Sequence, residues 1–124
     1  MELYLLALFQ QLFHLIMIND DLKQHIKSVC INKNTEVCGF IVYDGIKDFF
    51  IELENKHPES NNFFLISPVD YLSIKNKFTI KYLFHNHNNS DEFSESDIYY
   101  QKFHCLDMLI YNANTDNWSE MKCK

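Results

Sequence analysis

Ile80-Lys81-Tyr82-Leu83-Phe84-His85-Asn86-His87-Asn88-Asn89-Ser90-Asp91-Glu92-Phe93-Ser94-Glu95-Ser96-Asp97 is the stretch from which the rest of the chain can be placed. The run from Thr79 to His85 is apolar on both faces, which predicts a strand covered on both sides and central in a sheet. Side chains alternate along a strand, so His85 and His87 point the same way. A polar loop follows, and Ser94 then reads as the cap of a helix reaching about Phe103, with Ile98 and Tyr99 facing inward. In that helix Asp97 is an acid at the third position, and a cap of this kind holds the first turn rigid. Two imidazoles and one carboxylate are the protein share of a catalytic zinc site, whose fourth position takes water. A single histidine on an apolar face usually has a structural role. A His-x-His pair at the end of a central strand, with an aspartate ten residues on, points to a metal.

The elements on either side fall into an alternating order. Asn19 or Asp20 caps a helix running to about Cys30, with Leu22, Ile26 and Val29 at helical spacing. Glu36 to Tyr43 reads as a buried strand. Asp44-Gly45 signals a two-residue hairpin, with a return strand from about Lys47 to Glu54. Asn55 to Asn62 is a loop, and Phe63 to Ile66 a short strand. Ser67-Pro68 opens a helix to about Lys77. After the central strand and the capped helix come a strand at Asp107–Tyr111, a turn at Asn114–Asp116 and a last strand at Trp118–Lys122. The predicted class is an α/β (α+β layered) domain over residues 19–124, a mixed sheet flanked by helices.

Composition narrows the function classes. At 124 residues, 47% of them hydrophobic, the chain builds one domain with a real core. The net charge is −6 and every basic residue is lysine. An acidic chain without arginine is poorly suited to nucleic acid, where arginine forks and basic patches carry affinity. Cys30, Cys38, Cys105 and Cys123 are widely spaced with no C-x-x-C pair, which favours reduced thiols and a cytoplasmic setting over disulfides.

Residues 1–18 form a strongly apolar stretch, read as an N-terminal helix or extension. Glu2, Gln10, Gln11 and His14 interrupt it, so no membrane span is expected. It lacks the basic start and small-residue cleavage site of a signal peptide. The remaining reading is an amphipathic helix that packs on the domain, or that makes an oligomer or partner contact through residues 1–16. Met17 is an alternative start.

Zinc hydrolysis also needs a general base. Glu36 stands at the mouth of a strand, just before the buried Cys38-Gly39-Phe40 run, where its alternative role is a solvated strand start. The Ser94 hydroxyl is a candidate hydrogen-bond donor to a reacting oxygen. His14, His25, His57 and His104 have no partner at ligand spacing, and Cys38 reads as packing. Asp91, Glu92 and Glu95 make a solvated acidic loop, or one that repels acidic substrates.

Glu36, His85-x-His87 and Ser94-x-x-Asp97 together resemble the motif of the JAB/MPN (JAMM) family of zinc metalloproteases. Glu36-Val37-Cys38-Gly39-Phe40 looks like the family's Glu-x-Cys-Gly strand. Phe63-Phe64-Leu65-Ile66-Ser67-Pro68-Val69-Asp70-Tyr71 and Cys105-Leu106-Asp107-Met108-Leu109-Ile110-Tyr111 are similar to segments of its phage tail-assembly members. The resemblance covers roughly residues 19–120. It implies a JAB/MPN, cytidine-deaminase-like fold with one zinc ion held by His85, His87 and Asp97. Glu36 would be the general base, and Ser94 would help hold the oxyanion or the water. The implied activity is hydrolysis of a peptide or isopeptide bond in a protein or peptide substrate, in phage tail assembly and so in the bacterial host cytoplasm. The alternatives are a deconjugase of a ubiquitin-like modifier and a non-catalytic MPN scaffold. Asn88 stands where the family usually has proline, and the loop from His87 to Ser94 is about one residue short, so a reshaped loop around an intact site is expected.

Overall fold

The computed structural model describes residues 18–31, 33–60, 63–87 and 90–123. The helix or extension expected at residues 1–18, and the contact expected through 1–16, lie outside them except for Ile18, which is buried. The run that ends in His-x-His is the middle strand of a five-stranded mixed sheet ordered β2-β1-β3-β4-β5. The strands are β1 (Cys38–Tyr43), β2 (Asp48–Leu53), β3 (Thr79–His87), β4 (Met108–Asn112) and β5 (Asn117–Met121). The helices are α1 (Asp20–Cys30), α2 (Pro68–Lys77) and α3 (Glu95–His104). β1 runs antiparallel to both β2 and β3, β3 is parallel to β4, and β5 closes the far edge antiparallel to β4. A parallel neighbour needs a crossover, and α3 supplies it.

Each sheet face buries its own cluster. Leu22, Ile26 and Cys30 of α1 pack with Ile41, Tyr82, Phe84, Leu109 and Tyr111. On the other face Cys38, Phe40, Val42, Leu83 and Met108 pack with Ile66 and with Ile74 of α2. The alternation of Tyr82, Leu83 and Phe84 between these clusters is why the strand looked apolar on both faces. Among the described residues no helix is long and apolar enough to cross a membrane.

Helix starts follow the sequence signals. The Asn19 side chain accepts from the Leu22 N–H at 2.8 Å, Pro68 occupies the first turn of α2, and Ser94 and Asp97 form a reciprocal capping box.

Several expectations need correction. The hairpin between β1 and β2 is a four-residue connection, because Tyr43 pairs with Asp48. The Asp44 carboxylate accepts from both Ile46 and Lys47 N–H groups, and that side-chain turn takes the place of a two-residue loop. Phe63–Ile66 is not a strand. Its backbone is held instead by the Asn55 side chain, which donates to the Phe63 carbonyl and accepts from the Leu65 N–H. On α3, Tyr99 is 71% exposed and Ile98 38%; Asp97 and Gln101 are the buried residues. Cys105 and Cys123 form a disulfide, while Cys30 and Cys38 are buried free thiols. Sequence spacing could not foresee that pair, since β4 and β5 lie between the two cysteines. The bond removes the argument from reduced thiols to a cytoplasmic setting.

Candidate metal centre

The site sits where the C-terminal end of β3 meets the N-terminus of α3. β3 continues two residues further than expected, so His85, Asn86 and His87 are all buried strand residues. His85 and His87 share one face, and the cap of α3 brings Asp97 against them. His85 Nε2 lies 2.9 Å from His87 Nε2. Asp97 Oδ1 is 3.1 Å from His85 Nε2, and Oδ2 is 3.1 Å from His87 Nε2. His85, His87 and Asp97 therefore form a buried group that could hold a metal ion.

Proton counting favours a cation at its centre. Two neutral imidazoles and a carboxylate make three mutual contacts, and each contact requires one N–H facing one lone pair. If both Nε2 atoms carry protons, the 2.9 Å His–His contact sets N–H against N–H. If only one does, the other histidine faces the carboxylate with its lone pair. A cation satisfies all three at once. Tetrahedral zinc with bonds of about 2.0–2.1 Å separates neighbouring ligands by about 3.3 Å, within a few tenths of the separations here.

The surrounding groups set the charge state. Burial pushes His85 below its ordinary value, and its bond to Asp97 does not overcome that. Burial also pushes His87 down, but the bond to Asp97, the charges of Asp97 and Glu36 and a hydrogen bond to the Ser90 backbone outweigh it and raise His87. Burial would raise Asp97; hydrogen bonds from His85 and His87 reverse the sign and hold it below the usual carboxylate range. The Ser94 N–H also donates to Asp97 Oδ2 at 2.8 Å. Phe64 stacks on the His85 ring with centroids 4.4 Å apart. His85 Nδ1 has no hydrogen-bond partner among the described residues, so on that side of the ring packing alone orients it.

Glu36 is 7% exposed. Cys38 pairs with His85 across β1 and β3, and continuing that register sets Glu36 opposite His87 on the same face. Burial raises its carboxyl to about 8, with His87 opposing and Asp97 adding to the shift. Its backbone is fixed on both sides: the N–H donates to the Ser60 carbonyl, and the carbonyl accepts from Asn55 Nδ2 at 2.9 Å. A solvated strand start is thus excluded. Ser94 is exposed, and its hydroxyl oxygen accepts from the Asp97 N–H at 3.1 Å. Its role in the cap is clear; its hydroxyl also lies 3.1 Å from Ser96 Oγ.

Three residues around the site were not singled out from the sequence. Asn86 accepts from the Val37 N–H through Oδ1 at 2.6 Å and donates its own N–H to the Val37 carbonyl at 3.1 Å, fixing the strand segment beside Glu36. An amide in the middle of a buried strand must find partners, and that was the available signal. Asn55 and Phe64 gave none, because both lie in a stretch held only by tertiary contacts. Asp91, read as solvated, accepts hydrogen bonds from Asn112, Thr115 and Asn117. No family model matches the sequence, and no curated protein matches it.

Proposed function

We propose that the protein is a zinc-dependent metallopeptidase or isopeptidase of the JAB/MPN type, acting on a protein or peptide. The observation that carries this reading is the convergence of His85, His87 and Asp97 within 2.9–3.1 Å of one another, with buried Glu36 on the same face. The sequence resemblance and the mixed sheet flanked by helices support the JAB/MPN fold. The similarity of Phe63–Tyr71 to tail-assembly members supports a phage tail protein as substrate.

Zinc held by this donor set would polarise a carbonyl and lower the pKa of water it holds. The chain's own residues do the rest. His85 and His87 provide neutral nitrogen donors, and Asp97 provides the negative charge. Glu36 takes a proton from the attacking water at its carboxylate and returns it to the leaving amine. A carboxyl raised toward neutrality by burial suits transfer in both directions. In this reading the Ser94 hydroxyl, at the start of α3, donates to the developing oxyanion.

The test is metal analysis of protein purified without chelator, followed by zinc titration of the stripped protein. One zinc per chain, lost in His85→Ala, His87→Ala and Asp97→Ala, supports the reading. A chain that neither carries nor takes up zinc overturns it.

A further inference from the structure

Residues 90–94, which lead into the helix carrying Asp97, meet the sheet through the Asp91 carboxylate and carbonyl and through Phe93, which packs against the core. Asp91 Oδ1 accepts from Asn112 Nδ2 and Thr115 Oγ1, each at 2.9 Å, and Oδ2 accepts from Asn117 Nδ2 at 3.0 Å. The Asp91 carbonyl accepts a fourth bond from Ser119 Oγ at 2.9 Å. All four donors lie at the end of β4, in the β4–β5 turn or in β5. Asn112 is also the residue that pairs with His87 across β3 and β4, and Ala113 donates to the His87 carbonyl. One carboxylate thus gathers its own loop onto the strand end that already frames His87. Exposed carboxylates seldom accept from three side chains, because water competes for each bond.

The position of Asp91 links it to two site residues. The strand end that it grips frames His87, because Asn112, which donates to Asp91, pairs with His87 across β3 and β4. Three residues on, the Ser94 N–H and hydroxyl hold Asp97. Building on the zinc-site reading above, we propose that Asp91 is a positioning residue. It clamps the loop to the β4 end that frames His87 while Ser94, three residues on, sets Asp97, giving both ligands their mutual geometry.

The test uses the full chain with Asp91→Ala, Asp91→Asn and Asn117→Ala. Zinc affinity is measured by competition with a chromophoric chelator, and the histidine ring nitrogens of the zinc-free protein are followed by NMR. Tyr111→Phe serves as a control, because it removes only the Tyr111–Asp116 bond at the same turn. Asp91→Ala should weaken zinc binding about 10- to 100-fold, the usual effect of losing an outer partner of a ligand. Its His87 ring signals should move, and those of His85, which shares Asp97 with His87, should move less. Asp91→Asn keeps an acceptor for Asn112 and Thr115 and should recover most of the affinity. Asn117→Ala should show a smaller loss, and Tyr111→Phe none. If Asp91→Ala changes neither the zinc affinity nor the His87 signals, the clamp is overturned. An equal loss in Tyr111→Phe also overturns it, since the effect would then be general to the turn. If the wild-type chain binds no zinc but the His87 signals still move in Asp91→Ala, the clamp stands and the peptidase reading falls.

Discussion

At the scale of single residues the site is a problem of proton ownership. Asp97 is held ionised by its two histidine partners, whereas Glu36 is pushed up by burial. Two carboxyls on one face therefore have opposite preferences, which is how a ligand and a base are told apart. Glu36→Gln should keep the metal, because no ligand is removed, and lower hydrolysis by at least about 100-fold, the lower range for general base catalysis. Metal content and hydrolysis rate, measured on the same preparation, check this; loss of metal in that variant would make Glu36 a ligand. Residue type and spacing made His85, His87 and Asp97 legible in the sequence. The outward bonds of Asn86 and Asp91 were not, since Val37 lies 49 residues from Asn86 and the nearest side-chain partner of Asp91 lies 21 residues from it.

At the scale of elements, the start of β1 must lie close to β3 for Glu36 to face His87. On the other flank of β1, Gly39 lets β2 approach closely. A Cβ there would meet the Ile51 carbonyl oxygen of β2 and the edge of the Phe50 ring. The backbone oxygen cannot swing aside as a side chain can. Gly39→Ala should therefore destabilise the domain by about 1–3 kcal/mol, the usual range for overpacking. Chemical denaturation measures it, and an unchanged midpoint would show that β2 yields freely. The start of α3 is the second positioning element. Ser94→Ala removes an acceptor from the Asp97 N–H and should cost about 1 kcal/mol of stability. The same variant should also weaken zinc binding, because the turn that carries Asp97 loosens. Thermal unfolding and zinc titration read the two effects separately. The element order was largely legible, since caps, proline and periodicity are local signals. The segment at Phe63–Ile66 misled because its β-like composition serves tertiary packing: Ile66 joins the core and Phe64 covers His85, with no strand partner.

At the scale of the whole molecule, the two ends of the crossover unit are secured differently. Its start is tied down at the candidate metal centre, through the cap and the Asp91 bonds. Its far end is tied by the Cys105–Cys123 disulfide, which links the residue after α3 to the residues after β5. Cys105 there adopts a left-handed conformation at φ 49°, ending the helix and turning the chain toward β4. Asp107 adds a non-covalent tie, accepting from the Cys123 N–H at 2.9 Å. The sequence separation of 18 closes a loop that contains β4 and β5. A cross-link over a loop of this length restricts the unfolded chain by about 3 kcal/mol. Replacing both cysteines by serine should lower the denaturation midpoint accordingly. Zinc affinity should be nearly unchanged, because the ligands come from the opposite end of α3. Thiol titration of the unfolded wild-type chain should find two reactive groups, Cys30 and Cys38, before reduction and four after it. Four before reduction would mean that the two thiols stand apart in the protein as isolated. The far end of α3 would then be held by Asp107 and packing alone, and the double serine variant should match the wild type in stability.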